Sequence, residues 1–562
     1  MKFSTKKKKW KSEVDPDEIF LDSKNIPQFN KQQFEGVIEK PISKKNLLFL
    51  GVFFGLIGIV FLSKIIVLQI SKGDSYYNLS QRNSLDKQAI FADRGIIYDR
   101  NKVPLAWNVA NSAGDFFSDR AYIKDPGFGH VLGYVSYPQK DKSGYFWQKE
   151  FIGKDGIEKQ YNDLLKGENG VKIFETDVHG AVQSENVIEP PKHGETLTLS
   201  IDSRIQAKLY DSIRSFSANQ GFRGGVGILM DVQNGEVLAL TNYPEYESEV
   251  LTRGDDQNQI KAYLTDKDKV FLNRGVSGLY TPGSIVKPIV ALAALNEHVI
   301  DPLTKILSTG SISIPNPYYP DKKSVFNDWK AHGWIDMRQA IAASSDVYFY
   351  EVGGGFENQK GLGISNIEKY TKLFGIGEKT GIDLPAENSG VIPTPLWKQE
   401  NFPNDPWRVG DTYNTSIGQY GYQVTPLEML RATAAIANYG KMLKPHLLTG
   451  GTQENFVDRD LGIPKEYFDV VHDGMRMSAT EGTASRLGLP FVKVSAKTGT
   501  AQLGLLKQRV NSWVIGFFPS DAPRYAFIVL MENGPATNTI SASLVMAETL
   551  TAMNDFAPEY LK

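Results

Sequence analysis

Residues 47–70, LLFLGVFFGLIGIVFLSKIIVLQI, form an apolar run interrupted only by Ser63, Lys64 and Gln69. At about 1.5 Å per residue, a helix of this length crosses a bilayer core of about 30 Å, with Lys64 reaching toward the outer interface. No small-residue cleavage pattern follows it and a long polar tail precedes it, so the run predicts a retained signal anchor. Lys44 and Lys45 flank the run, and Lys6 to Lys9 lie upstream. This charge bias predicts a cytoplasmic tail over 1–46, a transmembrane anchor over 47–70 and an extracytoplasmic remainder.

After the anchor, the pattern over 71–215 is polar and irregular. Strand-like patches and turns occur in ADRGIIYDRNKVPLAWN (92–108) and FIGKDGIEKQYNDLLKGENG (151–170). No catalytic constellation appears there, which predicts a membrane-proximal region used for spacing or partner binding. GETLTLSIDSRIQAKLYDSI (194–213) reads as a strand entering a helix, capped by Asp202 or Ser203.

From about residue 220 the pattern changes. GVGILMDV and EVLALTNY flank Gln233-Asn234-Gly235, which predicts a hairpin with a tight primed turn. VKVSAKTGTAQ (492–502), NSWVIGFFP (511–519) and RYAFIVLMEN (524–533) predict three more strands, with helical stretches such as PLEMLRATAAIANYG between the two groups. Strands at both ends of 216–562 with helices between them predict an α+β domain, in which helices flank one antiparallel sheet closed by the first and last segments.

A length of 562 residues favours more than one globular part. The net charge of -2 gives no reason to expect nucleic acid. With no cysteine there is no disulfide and no thiolate catalysis, and the seven histidines show neither HExxH nor ligand-spaced pairs. A zinc hydrolase is therefore disfavoured.

The candidate chemistry begins at YTPGSIVKPIVALAALNEH (280–298), a nearly all-round apolar segment opening after Pro282-Gly283. It predicts a buried helix with Ser284 and Lys287 on one side, three residues apart. A lysine among apolar neighbours loses hydration of its charged form and can take a proton from a hydroxyl. The same spacing occurs at Ser4 with Lys7 and at Ser84 with Lys87, both in polar stretches without a desolvating environment. Ser344-Ser345-Asp346 interrupts QAIAASSDVYFYEVG (339–353), as a turn or helix cap or as a polar partner of the serine. Lys497, Thr498 and Thr500 fall on a strand beside Gly499. A second Lys-Thr-Gly, Lys379 to Gly381, lies among Gly and Pro and reads as a loop.

In this order, Ser284-x-x-Lys287, Ser344-x-Asp346 and Lys497-Thr498-Gly499 resemble the three active-site motifs of penicillin-binding proteins and serine β-lactamases. RGIIYDRNKVPLA, GKDGIEKQYN, MDVQNGEVLAL, NRGVSGLYTPGSIVKP, TGIDLP, DTYNTSIGQYGYQVTPLEM, AKTGTAQ and SWVIGFFP extend the similarity to class B penicillin-binding proteins over nearly all the extracytoplasmic chain. Aspartate at 346 and the WRVGDTYNTSIGQ stretch resemble the elongation type, penicillin-binding protein 2, more than the division type.

The resemblance implies an elongated pedestal over 71–215 and a transpeptidase domain over 216–562. It implies Ser284 as acylated nucleophile, Lys287 as general base, Ser344 as proton relay and Asp346 as the residue holding that network. Lys497, Thr498 and Thr500, with Gly499 between them, would receive the donor's terminal carboxylate, and the backbone N–H groups of Ser284 and Thr500 would form an oxyanion hole. The implied substrates are D-Ala-D-Ala stem peptides of peptidoglycan, with β-lactams as acylating inhibitors. A RodA-type glycosyltransferase and the elongation complex are the implied partners, at the inner membrane. No cofactor or metal is expected; some elongation-type members carry a zinc site that includes cysteine, and this chain has none. The alternatives are a D,D-carboxypeptidase or β-lactamase-like hydrolase on the same scaffold, and a membrane-anchored β-lactam sensor or scaffold.

Overall fold

The computed structural model describes residues 43–77, 85–111, 116–176, 182–316, 319, 321–449, 457–504 and 506–562. Ser4, Lys7 and Ser84, and most of the expected 1–46 tail, lie outside them. The chain divides into two compact units, Met1–Asp86 with Glu175–Ser184 and Lys87–Phe174 with Glu185–Lys562.

In the first unit the apolar run is one helix, α1 (Lys44–Ile66), extended by a wider π-type turn at Val67–Ser71. The Ser43 hydroxyl caps it by accepting from the Asn46 N–H at 3.3 Å. None of its residues is buried, and its length and composition suit a membrane span.

The second unit opens with a four-stranded sheet made by β1 (Ile97–Tyr98), β2 (Pro104–Val109), β3 (Asp119–Tyr122) and the later β4 (Leu197–Thr198), in the order β4-β1-β2-β3. Only the β4–β1 pairing is parallel. Beside it, Glu158 of α2 (Gly156–Gln160) is fully buried between two arginines, at 2.5 Å from Arg94 Nε and 2.8 Å from Arg120 Nε. Burial alone would raise the Glu158 pKa; the Arg120 and Arg94 guanidiniums outweigh it and hold the carboxyl below its usual range.

Asp202 caps the long helix α3 (Ser203–Gln220), its carboxylate accepting from the Arg204 N–H at 3.1 Å. Ile205, Leu209, Ile213 and Phe216 form its buried stripe. This stripe packs on β5 (Gly224–Asp231), where Gly225 and Gly227 share a face. A Cβ at Gly225 would sit 2.8 Å from Ile213, and one at Gly227 2.7 Å from Leu209. The glycines of the GGVG stretch thus let helix and strand approach. The expected division between 215 and 216 falls inside α3, which packs on the sheet.

β5 pairs antiparallel with β6 (Val237–Tyr243). The expected tight Asn-Gly turn is a wider loop: the Asp231 N–H donates to the Glu236 carbonyl and the Gly235 N–H to the Asp231 carbonyl. Gly235 alone in the loop has positive φ, at 86°, so the two-residue primed turn is not formed.

Among the helices that follow are α4 (Lys287–Asn296), α5 (Met337–Ala343), α6 (Asp346–Gly354), α7 (Pro426–Ala437) and α8 (Lys465–Thr480). The chain then returns as β7 (Ser495–Leu503), β8 (Arg509–Phe518) and β9 (Tyr525–Pro535), and ends in α9 (Ser543–Phe556). The five strands make one antiparallel sheet in the order β6-β5-β9-β8-β7, closed by first and last segments as predicted.

Helices cover both faces of this sheet. Trp513, Ile515 and Phe517 of β8 share a core with α4 and α7, while Val514 and Phe518 share the opposite core with α3 and α9. Double-sided burial explains why β8 and β9 read as continuous apolar runs rather than alternating ones.

Candidate active site

Ser284 lies in a 3₁₀ turn, Gly283–Val286, that leads into α4 at Lys287. The sequence predicted one helix through both residues. The tighter turn still aligns i with i+3, so Ser284 and Lys287 share a side.

Three glycines bring the turn into the site. Gly283 has φ +59, and a Cβ there would meet the Thr500 carbonyl oxygen at 2.9 Å. Gly418 accepts the Gly283 N–H at 2.9 Å and approaches it too closely for a side chain. On β7, a Cβ at Gly499 would lie 2.9 Å from Ile285. Trp513, fully buried in β8, donates from its indole N–H to the Thr281 carbonyl at 3.0 Å and fixes the approach to the turn.

The expected apolar cage around Lys287 is only half present. Its side chain is fully buried and its ammonium lies 5.4 Å from the Phe349 ring centroid. That ammonium nevertheless has two polar partners, the Asp346 carboxylate at 2.6 Å and the Ser344 carbonyl at 2.8 Å. Among the described residues, the Ser284 hydroxyl has no hydrogen-bond partner, so no direct Ser284–Lys287 bond is made in this resting arrangement.

Ser344 ends α5 in the left-handed region, with φ 58°, and Ser345 caps α6 by accepting from the Tyr348 N–H. Ser344-Ser345-Asp346 is therefore both a helix junction and a polar cluster. The left-handed step turns the Ser344 hydroxyl to Lys497, whose ammonium donates to it at 2.7 Å and to the Thr498 carbonyl at 2.7 Å. Lys497 is fully buried. Burial, reinforced by the positive charge of Lys287 and opposed by Asp346, holds its pKa well below the usual lysine range. Thr498 is buried and donates to the Thr483 hydroxyl at 2.6 Å; Thr500 is exposed.

All eight residues singled out from the sequence thus lie on the adjoining 3₁₀ turn, α4, α5–α6 junction and edge strand β7. The other Lys-Thr-Gly, at 379–381, is in an irregular segment as predicted.

No pattern in the sequence points to Asp328. Its carboxylate is fully buried and accepts from the Ser345 hydroxyl at 2.7 Å and the Val347 N–H at 3.0 Å, pinning the start of α6 on either side of Asp346. Burial would raise its pKa, but these bonds lower it. His332 Nε2 lies 3.6 Å from Asp328 and makes no hydrogen bond; burial depresses the His332 pKa. Among the described residues no group of three or more His, Asp or Glu side chains is placed to hold a metal.

Chemically, the site offers a hydroxyl on a tight turn, two buried amines, one carboxylate joined to the first amine and one hydroxyl joined to the second. That is the equipment for serine acyl transfer.

Residues 225–551 match the family described as Penicillin binding protein transpeptidase domain, and 117–199 match the Penicillin-binding Protein dimerisation domain. Among curated proteins, the chain is 32% identical to the peptidoglycan D,D-transpeptidase MrdA of Acinetobacter baumannii over 72% of its own length and 62% of that protein's. It is 28% identical to the protein of the same name in Escherichia coli, over 87% of this chain and 92% of that one. The fold is similar to penicillin-binding protein PBP2 of Helicobacter pylori, solved in a complex with MreC, with a TM-score of 0.69, 28% identity and coverage of 84% and 99% of the two chains. A chain from a peptidoglycan synthase complex, solved in a study of polymerization and crosslinking, matches with a TM-score of 0.70, 26% identity and coverage of 92% and 98%.

Proposed function

The chain belongs to the class B penicillin-binding proteins, of the elongation type, and from that premise we propose that it is a serine D,D-transpeptidase that cross-links peptidoglycan stem peptides during wall elongation. The observation that carries this reading is the pair of hydrogen-bonded amines that meet at Ser344, Lys287 on Asp346 and the Ser344 carbonyl and Lys497 on the Ser344 hydroxyl, set beside the Ser284 turn.

In the proposed mechanism, the Ser284 hydroxyl attacks the carbonyl of the penultimate D-alanine and gives its proton to Lys287. Asp346 orients that lysine through the 2.6 Å contact. Early residues of a helical turn have backbone N–H groups without internal partners, so the Ser284 N–H is available, with that of Thr500, to hold the oxyanion. Collapse of the intermediate expels D-alanine, whose nitrogen takes a proton through Ser344, with Lys497 behind it. An amine of a second stem then attacks the ester and gives its proton to Ser344, replacing the one that D-alanine took, while Lys287 returns its proton to the departing Ser284 oxygen. Lys497, Thr498 and Thr500 receive the donor's terminal carboxylate. A β-lactam acylates Ser284 by the same first step.

The MreC complex of the Helicobacter relative and the synthase complex containing the other neighbour support a partnered enzyme. We infer a RodA-type glycosyltransferase as the polymerising partner within the elongation complex. The α1 helix would cross the inner membrane once, with the N-terminus in the cytoplasm and the catalytic domain outside.

The test is conversion of nascent glycan by the full chain together with its polymerase, followed by analysis of digested products. Cross-linked dimers with released D-alanine, absent with Ser284→Ala, are expected. Trimmed monomers without dimers would replace this reading with a D,D-carboxypeptidase.

A further inference from the structure

The second Lys-Thr-Gly segment, which the proposed reaction leaves unused, lines a separate polar cavity of about 470 Å³. The cavity is built around Arg431 of α7, whose side chain is only 3% exposed and whose Nε–H donates to the Leu443 carbonyl at 2.9 Å. The Arg431 guanidinium meets Glu378 and Asp458, and Arg459 contacts the same two carboxylates. These four charges balance.

The two remaining lining cations are not balanced. Among the described residues, neither Lys379 nor Lys444 has a carboxylate within ion-pair distance, so the lining carries an excess of two positive charges. The backbone beside Lys379 and the stem of Lys444 are braced from behind. Glu387 accepts from the Thr380 N–H at 2.7 Å and the Gly381 N–H at 3.1 Å, fixing the segment that bears Lys379. The Lys444 stem lies over Gly381, where a Cβ would meet its Cε at 3.1 Å. Surface ammoniums without counter-charges are common, but here two converge on a cavity that already contains two anchored guanidiniums. The two lysines supply uncompensated charge to an oxyanion, and the guanidiniums, already paired with Glu378 and Asp458, add N–H donors.

We propose that this cavity binds an oxyanion of the phosphate class, at a site independent of Ser284. The anion sits between Lys379 and Lys444, against the guanidiniums of Arg431 and Arg459. Its source is either soluble phosphate or the phosphate of a lipid headgroup, which offer the cavity the same chemistry.

The test uses the full chain in neutral detergent at low ionic strength, titrated with inorganic phosphate by calorimetry. The wild type is compared with the Lys379→Gln/Lys444→Gln double variant, and benzylpenicillin acylation reports the fold of each. Saturable single-site binding is expected, at least about tenfold weaker in the acylation-competent double variant, because two opposite charges are lost. Penicillin-acylated wild type should bind phosphate with unchanged affinity. Absence of saturable binding, equal binding by the double variant, or loss of binding on acylation overturns the proposal. Should the double variant lose acylation, Lys379→Arg/Lys444→Arg replaces it, and failure of that pair to bind phosphate while still acylating also counts against the site. Nanodiscs of phosphatidylglycerol and of phosphatidylcholine separate the sources: suppression of phosphate binding by the anionic lipid alone assigns the headgroup, and no suppression assigns the soluble anion.

Discussion

Lys287 and Lys497 are two buried amines, and only Lys287 has a carboxylate bonded to it, Asp346 at 2.6 Å. Asp346→Asn removes that counter-charge while keeping the shape, so benzylpenicillin acylation should slow by about 100-fold or more, and the melting temperature should also fall because the buried Lys287 loses its carboxylate. Stopped-flow acylation and a melting curve check it. Lys497 makes a distinct prediction. Its folded pKa is depressed, so between that value and the unfolded value of about 10.4 the unfolded chain binds more protons, and stability rises with pH. The cost of burying the charge is fully felt below the folded pKa and relieved as pH climbs toward the unfolded one. Lys497→Met cannot titrate, so the rise of melting temperature with pH across this window should be shallower in the variant; identical slopes would remove the depressed pKa. These residues are legible in the sequence because an amine or hydroxyl inside an apolar run stands out. Asp328 is not, since an aspartate within VFNDWKAH reads as an ordinary polar turn, and only the fold shows its bonds to Ser345 and Val347. Asp328→Asn should lower the acylation rate constant more than it weakens initial β-lactam binding, because it loosens the start of α6 and leaves the binding strand intact. Equal loss in both would assign Asp328 to binding.

Among the elements, the turn before α4 and the edge strand β7 decide the geometry. Gly499 is small because Ile285 occupies the space of its side chain. Gly499→Ala should therefore push the Ser284 turn off the strand, costing about 1–3 kcal/mol of stability and at least about tenfold in acylation rate. Thermal melts and acylation kinetics of the variant test this. The five strands and the main helices follow from the apolar pattern, and their order in the sheet follows from the strands at both ends of the domain. Three local features do not. The 3₁₀ form of the nucleophile turn depends on contacts with Gly418 and Thr500, which are remote in sequence. The left-handed Ser344 depends on the joining of α5 to α6. The wide β5–β6 loop depends on the Asp231–Glu236 backbone bond, which overrides the local Asn-Gly preference.

For the molecule as a whole, the sequence distinguishes an apolar anchor, a polar region and a sheet domain, but not how the second merges with the third. Helix α3 runs through the expected division because its stripe needs the glycine face of β5. The region that precedes α3 has its own polar centre, Glu158 between Arg94 and Arg120, with all three side chains fully buried. The stretches that supply them, ADRG, SDRA and DGIEK, lie apart in the chain and give no hint of a joint ion cluster. Glu158→Gln leaves two buried guanidiniums without a counter-charge and should cost about 3–5 kcal/mol, seen as a lowered denaturation midpoint. Acylation of Ser284 is read from the intact mass of the chain after incubation with benzylpenicillin. One lasting adduct of the drug's full mass is expected on the wild-type chain and none on Ser284→Ala; an adduct on both, or penicillin consumed without an adduct on either, would overturn Ser284 as the stably acylated nucleophile.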